Sequence, residues 1–390
     1  MKNKKSKIDW YILISVAALM LFGLAFVYSA SAPFSEFKTG STETFFMKHL
    51  WKVLFAIVLM FVFAKIDYHI WKKFSKHIMI IALIFLGAVV IFGEEINGAT
   101  RWLDFKIIMF QPSELAKQAL VLHLAVLIAR DQDKIKDWKE GLGPILIFPA
   151  LVIFLIVQQP NFSTALVILF LTISMIFIGN ANLKHIAVIG VSAMGLGAIA
   201  IASKGDYVLN RIGAFTNELA MTFGGGTTAD SVNSFGQYSY QQQQALLALG
   251  NGGLFGVGAG ASRQSDMFLP ESYGDFIFSI IGEEYGFVGV TLILLTFMFI
   301  FWRGMLVAKR APDNYGYFLS FGILASLAIS AFVNAGVNCA LLPTTGQPMS
   351  FISYGGTALW FNSAAVGILL NISAQAGIFP NESGNPFKSK

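Results

Sequence analysis

The sequence predicts an all-α polytopic membrane protein: a bundle of ten transmembrane helices with one large extracytoplasmic loop between helices seven and eight. Three observations predict it. Hydrophobic residues make up 55% of the 390 and charged residues only 13%, against about 25% charged in a soluble domain. Apolar runs of spanning length recur along the whole chain. Only helices and closed barrels satisfy their backbone in lipid, and unbroken runs select helices. Cations gather in the short segments between alternate runs, so the net charge of +5 is a topology signal rather than a nucleic-acid footprint. The single cysteine, Cys339, excludes an internal disulfide.

Lys2, Lys4, Lys5 and Lys7 precede helix one (10–29) and hold the N-terminus in the cytoplasm. No small-residue cleavage site follows its apolar run, which reads as an uncleaved span rather than a signal peptide. A polar loop, 33–48, leads to helix two (51–66). The basic turn with His69, Lys72, Lys73, Lys76 and His77 is inside, and helix three (78–92) returns. Helix four (112–130) opens on Pro112, which suits a first helical position because that N–H has no partner there. The loop 130–140 is charged and cytoplasmic. Helices five (144–158) and six (162–178) meet at a tight outer hinge, Gln158-Gln159-Pro160-Asn161. Lys184 and His185 mark an inner turn before helix seven (186–202). The hydrophilic segment 203–274 then lies outside by alternation. A loop of that length is usually functional or disordered, and 240–249 has the residues of a helix lying on the membrane. Helix eight (276–302) runs to Arg303, Lys309 and Arg310 inside. Helix nine (317–337), an outer loop (342–356) and helix ten (357–372) follow, and the C-terminal tail is cytoplasmic. The whole, 1–390, reads as one integral-membrane domain.

Within this frame ionisable groups near lipid are functional candidates, because a mid-bilayer charge costs roughly 2.5–3.5 kcal/mol. The stretch 268–284, FLPESYGDFIFSIIGEE, carries Glu271, Asp275, Glu283 and Glu284. Asp275 also fits an N-cap of helix eight. Glu283 falls about 80° from Asp275 around a helix and Glu284 roughly opposite, so only Glu283 is expected to share its cavity. Glu114 and Lys117, three apart near the outer end of helix four, share a face; Glu114 also suits the first turn. Arg101 beside Trp102 fits either a site or an interfacial anchor. Arg211 and Arg263 are among the few outer cations. The loop from Leu342 through Ser353 to Gly356 is rich in hydroxyls and backbone amides, and reads equally as a headgroup contact or a structural turn. Gly256-Val257-Gly258-Ala259-Gly260 has no strand before it and is not a dinucleotide fingerprint. No histidine–cysteine cluster suggests a metal cage.

Six segments, NGATRW, FQPSELAK, QQPNFSTALVI, LALGNGGLFGVGAGASRQ, FLPESYGDFIFSIIGEEYG and LPTTGQPMSFISYGG, together resemble the SEDS family of bacterial cell-wall polymerases, FtsW, RodA and SpoVE, and lean toward FtsW. The resemblance covers essentially all ten helices. It implies peptidoglycan glycosyltransfer from lipid II, an essential acid at Asp275, and matching site positions at Arg101, Trp102, Glu114 and Lys117; Arg211, Arg263, Glu271 and Ser353 stand beside them as further candidate substrate-binding residues. It also implies a divalent cation, Mg or Mn, with ligands from lipid phosphates, and a class B penicillin-binding protein as partner among divisome or elongasome proteins. The expected location is the bacterial inner membrane. The chain departs from the pattern at Tyr273-Gly274, where the family has His-Thr, at Asn161 in place of an acid, at Ser350 in place of proline, and in a longer loop at 215–238. A lipid II flippase and a non-catalytic scaffold are the rival functions, and septal and side-wall roles both stay open.

Overall fold

The computed structural model describes residues 8–96, 99–106, 109–203, 213, 236–266 and 268–376. Arg211 and most of the loop 203–235 lie outside them. Among the described residues eight helical stretches are long and apolar enough to cross a membrane. They are α1 (Trp10–Thr39), α2 (Thr44–Lys65), α3 (Tyr68–Phe92), α4 (Pro112–Arg130), a π-turn at Trp138–Leu142 running into α5 (Gly143–Gln158), and three further helices near the C-terminus. Those three are numbered after α6 (Phe162–Ile178), α7 (Leu183–Ser203) and α8 (Gly236–Gly252): they are α9 (Ile277–Lys309), α10 (Asn314–Asn338) and α11 (Gly356–Gln375). α6 and the apolar part of α7, Leu183–Gly197, are shorter. The protein is thus a multi-pass, helical membrane protein, with helices at all ten expected positions and eight of them of spanning length.

Local chemistry sets the ends. Asp9 caps α1, its carboxylate accepting from the N–H groups of Tyr11 at 3.1 Å and Ile12 at 3.3 Å. Asp313 caps α10 through the N–H of Gly316, and Asn161 caps α6 through Thr164. α1 continues ten residues past its expected end, because hydropathy marks where lipid stops and not where helix does; it ends at Gly40. α4 and α11 form the buried centre, α10 packs beside them, and α2, α3, α5 and most of α9 turn apolar flanks outward. Ile84 and Ile91 are among the exposed side chains of that outer belt.

Two features were not anticipated. The α3–α4 connection holds a three-stranded antiparallel sheet, β1 (Glu94–Ile96), β2 (Ala99–Asp104) and β3 (Met109–Phe110), in the order β1-β2-β3. Its register pairs Glu94 with Trp102 and Leu103 with Phe110. The second is a break in α9 at Gly286 (φ 66°, ψ −164°). The segment after α8 fills that break. Val257 and Gly258 N–H donate to the carbonyls of Glu283 and Glu284, and the N–H groups of Phe287 and Val288 donate to Gly253 and Leu254. A Cβ at Gly286 would stand 2.5 Å from the backbone of Leu254 and Gly256, so only glycine admits this splice. The expected helix at 240–249 is present in the longer α8, which packs on α9.

Candidate active site

Asp275 ends the turn-rich stretch that leads into α9. It is not that helix's cap: the cap position is Phe276, which has no side-chain cap bond. The Asp275 carbonyl accepts two amide N–H groups from α10, Asn334 Nδ2 at 2.8 Å and Asn338 Nδ2 at 3.0 Å. Its carboxylate and the guanidinium of Arg101 both lie beside Gly346. A Cβ built on Gly346 would lie 3.4 Å from Asp275 Oδ2 and 3.2 Å from Arg101 Nη1. Gly346 has φ +67°, so glycine both permits the turn and leaves room for the two charges.

β2 delivers Arg101, whose Nη2 donates to the Pro160 carbonyl at 3.0 Å. Strand alternation turns Trp102 to the opposite face of the ribbon from Arg101. The α5–α6 hinge that holds Arg101 is itself fixed: Asn161 Oδ1 accepts the hydroxyl of Thr164 at 2.8 Å, and Thr164 Oγ1 in turn accepts Gln347 Nε2. The departure at Asn161 therefore serves capping and needs no charge.

Glu114 and Lys117 form the expected pair, Nζ to Oε2 2.8 Å, with both side chains at most 2% exposed. A seam of amides and hydroxyls continues beyond them. Gln118 Nε2 donates to Asn362 at 2.9 Å and to Ser326 at 3.3 Å, and Asn362 Nδ2 donates to Ser350 at 3.0 Å. At Ser350, a proline would remove that hydroxyl acceptor. Ser353 is buried, and its hydroxyl accepts the Met349 N–H at 2.8 Å, holding the 349–353 turn.

On the other flank Tyr273, where the family has histidine, joins an aromatic cluster. Its ring centroid lies 5.6 Å from Phe34, and 5.5 Å from both Phe45 and Tyr354, and its carbonyl accepts the Tyr354 N–H at 2.9 Å. Lys52 Nζ sits 3.7 Å from the Tyr354 ring centroid, a cation–π contact. The sequence reading passed over Lys52, although a cation inside the apolar run of helix two is the signal that marks such residues. It passed over Asn334 and Asn338 too, whose signal is weaker, a neutral amide within an apolar run.

Glu283 does not share the Asp275 cavity as expected, because Asp275 precedes the helix and the angular argument does not apply. Glu283 instead accepts the Ser262 hydroxyl at 2.5 Å and the Gln264 N–H at 3.2 Å, and Glu284 accepts the Ser29 hydroxyl. Both carboxylates anchor other segments to α9. Arg263 lies exposed within that anchored loop. The Glu271 side chain keeps contact with water, but the protein packed around it raises its pKa, with the charge of Lys38 opposing. Among the described residues no group of three or more His, Cys, Asp or Glu could hold a metal ion.

Fold and site together define a multi-pass membrane protein in which charged groups from distant segments, Asp275 and Arg101, come together beside Gly346. The family model described as cell cycle protein, covering FtsW, RodA and SpoVE, matches residues 9–377, and the chain belongs to that family. It is 36% identical over 377 residues to stage V sporulation protein E of Bacillus subtilis, covering 96% of this chain and 99% of that one. It is 36% identical over 370 residues to a probable peptidoglycan glycosyltransferase FtsW of Geobacter metallireducens, covering 94% and 95%. Among solved structures it resembles the rod shape determining protein RodA of Thermus thermophilus (TM-score 0.67, 25% identity, 94% and 96% covered). A chain of a peptidoglycan synthase complex that coordinates polymerization and crosslinking shares the fold (TM-score 0.72, 24% identity, 95% and 99% covered).

Proposed function

We propose that this chain is a peptidoglycan glycosyltransferase that polymerises lipid II on the extracytoplasmic face of the bacterial inner membrane during cell division. In this reading the sheet end of the bundle faces outward, both termini are cytoplasmic, and a class B penicillin-binding protein is the partner. The observation that carries it is the convergence of the Asp275 carboxylate and the Arg101 guanidinium on Gly346. The names of the FtsW relatives support the substrate class.

The acceptor's sugar 4-hydroxyl attacks the anomeric carbon of the donor chain. A C–O bond forms, the bond to the diphosphate breaks, and its electron pair leaves with the undecaprenyl diphosphate. Asp275 takes the hydroxyl proton; a positioned base is worth roughly 10²–10⁴-fold. Arg101 offsets the growing charge on the diphosphate. Lys52 is a second cation on the far side of Tyr354. Lys117, paired with Glu114, is a further candidate cation. Trp102, Arg263, Glu271, Ser353 and Arg211 are secondary candidates for substrate binding. A divalent cation is proposed from the family alone. The protein groups near Asp275 do not form a cage for it, and no step above requires one.

The test is the purified full-length chain with its partner, given lipid II. Wild type should make glycan polymer and Asp275→Asn should fall roughly 10²–10⁴-fold in rate while folding and binding the partner. An Asp275→Asn variant that polymerises normally overturns the base assignment. Lipid II translocation without polymer in the wild type replaces the reading with a flippase, and neither activity replaces it with a scaffold.

A further inference from the structure

The side chain of Asn334 makes two hydrogen bonds that no other residue type of its size can make together. Its one amide nitrogen donates to the Asp275 carbonyl at 2.8 Å and to the Gln347 carbonyl at 2.7 Å. Both N–H groups of the amide are therefore used. Asn334 is 1% exposed and sits on α10, which takes no other part in the chemistry proposed above. One turn along, Asn338 repeats the motif. It donates to the same Asp275 carbonyl at 3.0 Å, while its Oδ1 accepts the N–H of Ser279 at 3.1 Å and the Ser279 hydroxyl at 2.7 Å. Ser279 N–H belongs to the first turn of α9 and is shared between the Asn338 side chain and the Phe276 carbonyl, also at 3.1 Å. Asn338 thus caps from a neighbouring helix the very turn that Asp275 precedes.

The two carbonyls held by Asn334 come from the two segments that meet at the site. Asp275 carries the carboxylate. Gln347 follows Gly346, the residue against which both Asp275 Oδ2 and Arg101 Nη1 rest. Gln347 extends the tie through its own side chain to Thr164, thence to Asn161, beside the Pro160 carbonyl that holds Arg101. A single planar amide in the buried face of α10 thus fixes the spacing between the acid's backbone and the loop beneath it.

We infer that Asn334 is a positioning residue for the glycosyl transfer step, setting the Asp275 carboxylate against the Gly346 loop, with Asn338 holding the backbone behind it. Asn334 touches no substrate atom; it acts through Asp275. The inference rests on the role given to Asp275 above. Group placement matters steeply in such sites, about 10²-fold for a 1 Å error.

The experiment measures lipid II polymerisation by the purified full-length chain with its partner, for Asn334→Leu, Asp275→Asn and the double variant, alongside thermal unfolding of each. Asn334→Leu is expected to lower kcat by about 10²-fold with KM within about 3-fold of wild type, because the substrate contacts remain. In the Asp275→Asn background the same change is expected to cost nothing further, since groups acting as one unit are non-additive. A general packing defect would instead raise KM, or multiply with the Asp275→Asn loss, and either result overturns the inference. So does a near-wild-type kcat in Asn334→Leu. If Asn334→Leu does not fold, Asn334→Ser, with one donor for two carbonyls, must fall between wild type and Asp275→Asn in kcat, and an unchanged kcat there overturns it equally. An active Asp275→Asn would remove the base assignment itself, and is read separately from the Asn334 result.

Discussion

Gly346→Ala places one methyl group between the two charges of the site. The backbone there has φ +67°, a region that costs an L-residue about 1–2 kcal/mol. The new Cβ would stand 3.2 Å from Arg101 Nη1 and 3.4 Å from Asp275 Oδ2. The first distance is tighter than an ordinary contact, so the guanidinium must shift by a few tenths of an ångström, about 10-fold in rate on the scale where 1 Å costs roughly 10²-fold. Gly40 is the matched control: it has φ +72° and nothing within 4 Å of an added Cβ. Both alanine variants should show a similar loss of stability, about 1–2 kcal/mol, in thermal unfolding followed by tryptophan fluorescence. Only Gly346→Ala should also slow lipid II polymerisation, by about 10-fold. A Gly346→Ala enzyme with wild-type rate, or a Gly40→Ala enzyme equally slowed, would refute the placement of the site at this glycine.

Three further outcomes are expected. Lys117→Ala leaves Glu114 buried without its partner and should cost about 3–5 kcal/mol in denaturant unfolding, whereas replacing the pair together, Glu114→Gln with Lys117→Met, should cost clearly less. Glu283→Ala strips the acceptor from the buried Ser262 hydroxyl and Gln264 N–H, so residues 253–266 should gain hydrogen exchange and protease sensitivity. Asp137 accepts the N–H groups of Glu140 at 2.9 Å and Lys139 at 2.7 Å, and these bonds hold its pKa below the usual carboxylate range. A depressed pKa stabilises the folded state above the unfolded value, and that stability is lost as pH falls through the folded one. Amide protection at 138–142 should therefore drop on acidification through that window in wild type, and Asp137→Asn should show no such drop.

The spans were legible because burial in lipid is written in length and hydropathy alone. Asp275, Arg101, Glu114 and Lys117 stood out as candidates because charges are scarce in such a chain. What stayed hidden depends on contact across the chain. The sheet at 94–110 decides which way Arg101 points, and its sequence signal, the dipeptide Asn97-Gly98, is a hairpin cue masked by the surrounding apolar runs. Asn334 and Asn338 look like polar interruptions of helix nine until α10 is laid against the start of α9. Glu283 was placed by helical angle from Asp275, and that reference failed because Asp275 stands outside the helix. Ser353 and Asn161 turned out to hold turns and caps, roles that their residue types serve as readily as substrate contact.

The break at Gly286 has a mechanical meaning. Residues 253–258 act as a splint: they lend their own amides and carbonyls to a fractured span, so neither piece is complete without the other. Lifting the splint would strip the α9 backbone of four hydrogen bonds at once, and straightening α9 would expel the splint. Anything that grips residues 253–258 therefore holds a lever on the helix that starts just past Asp275.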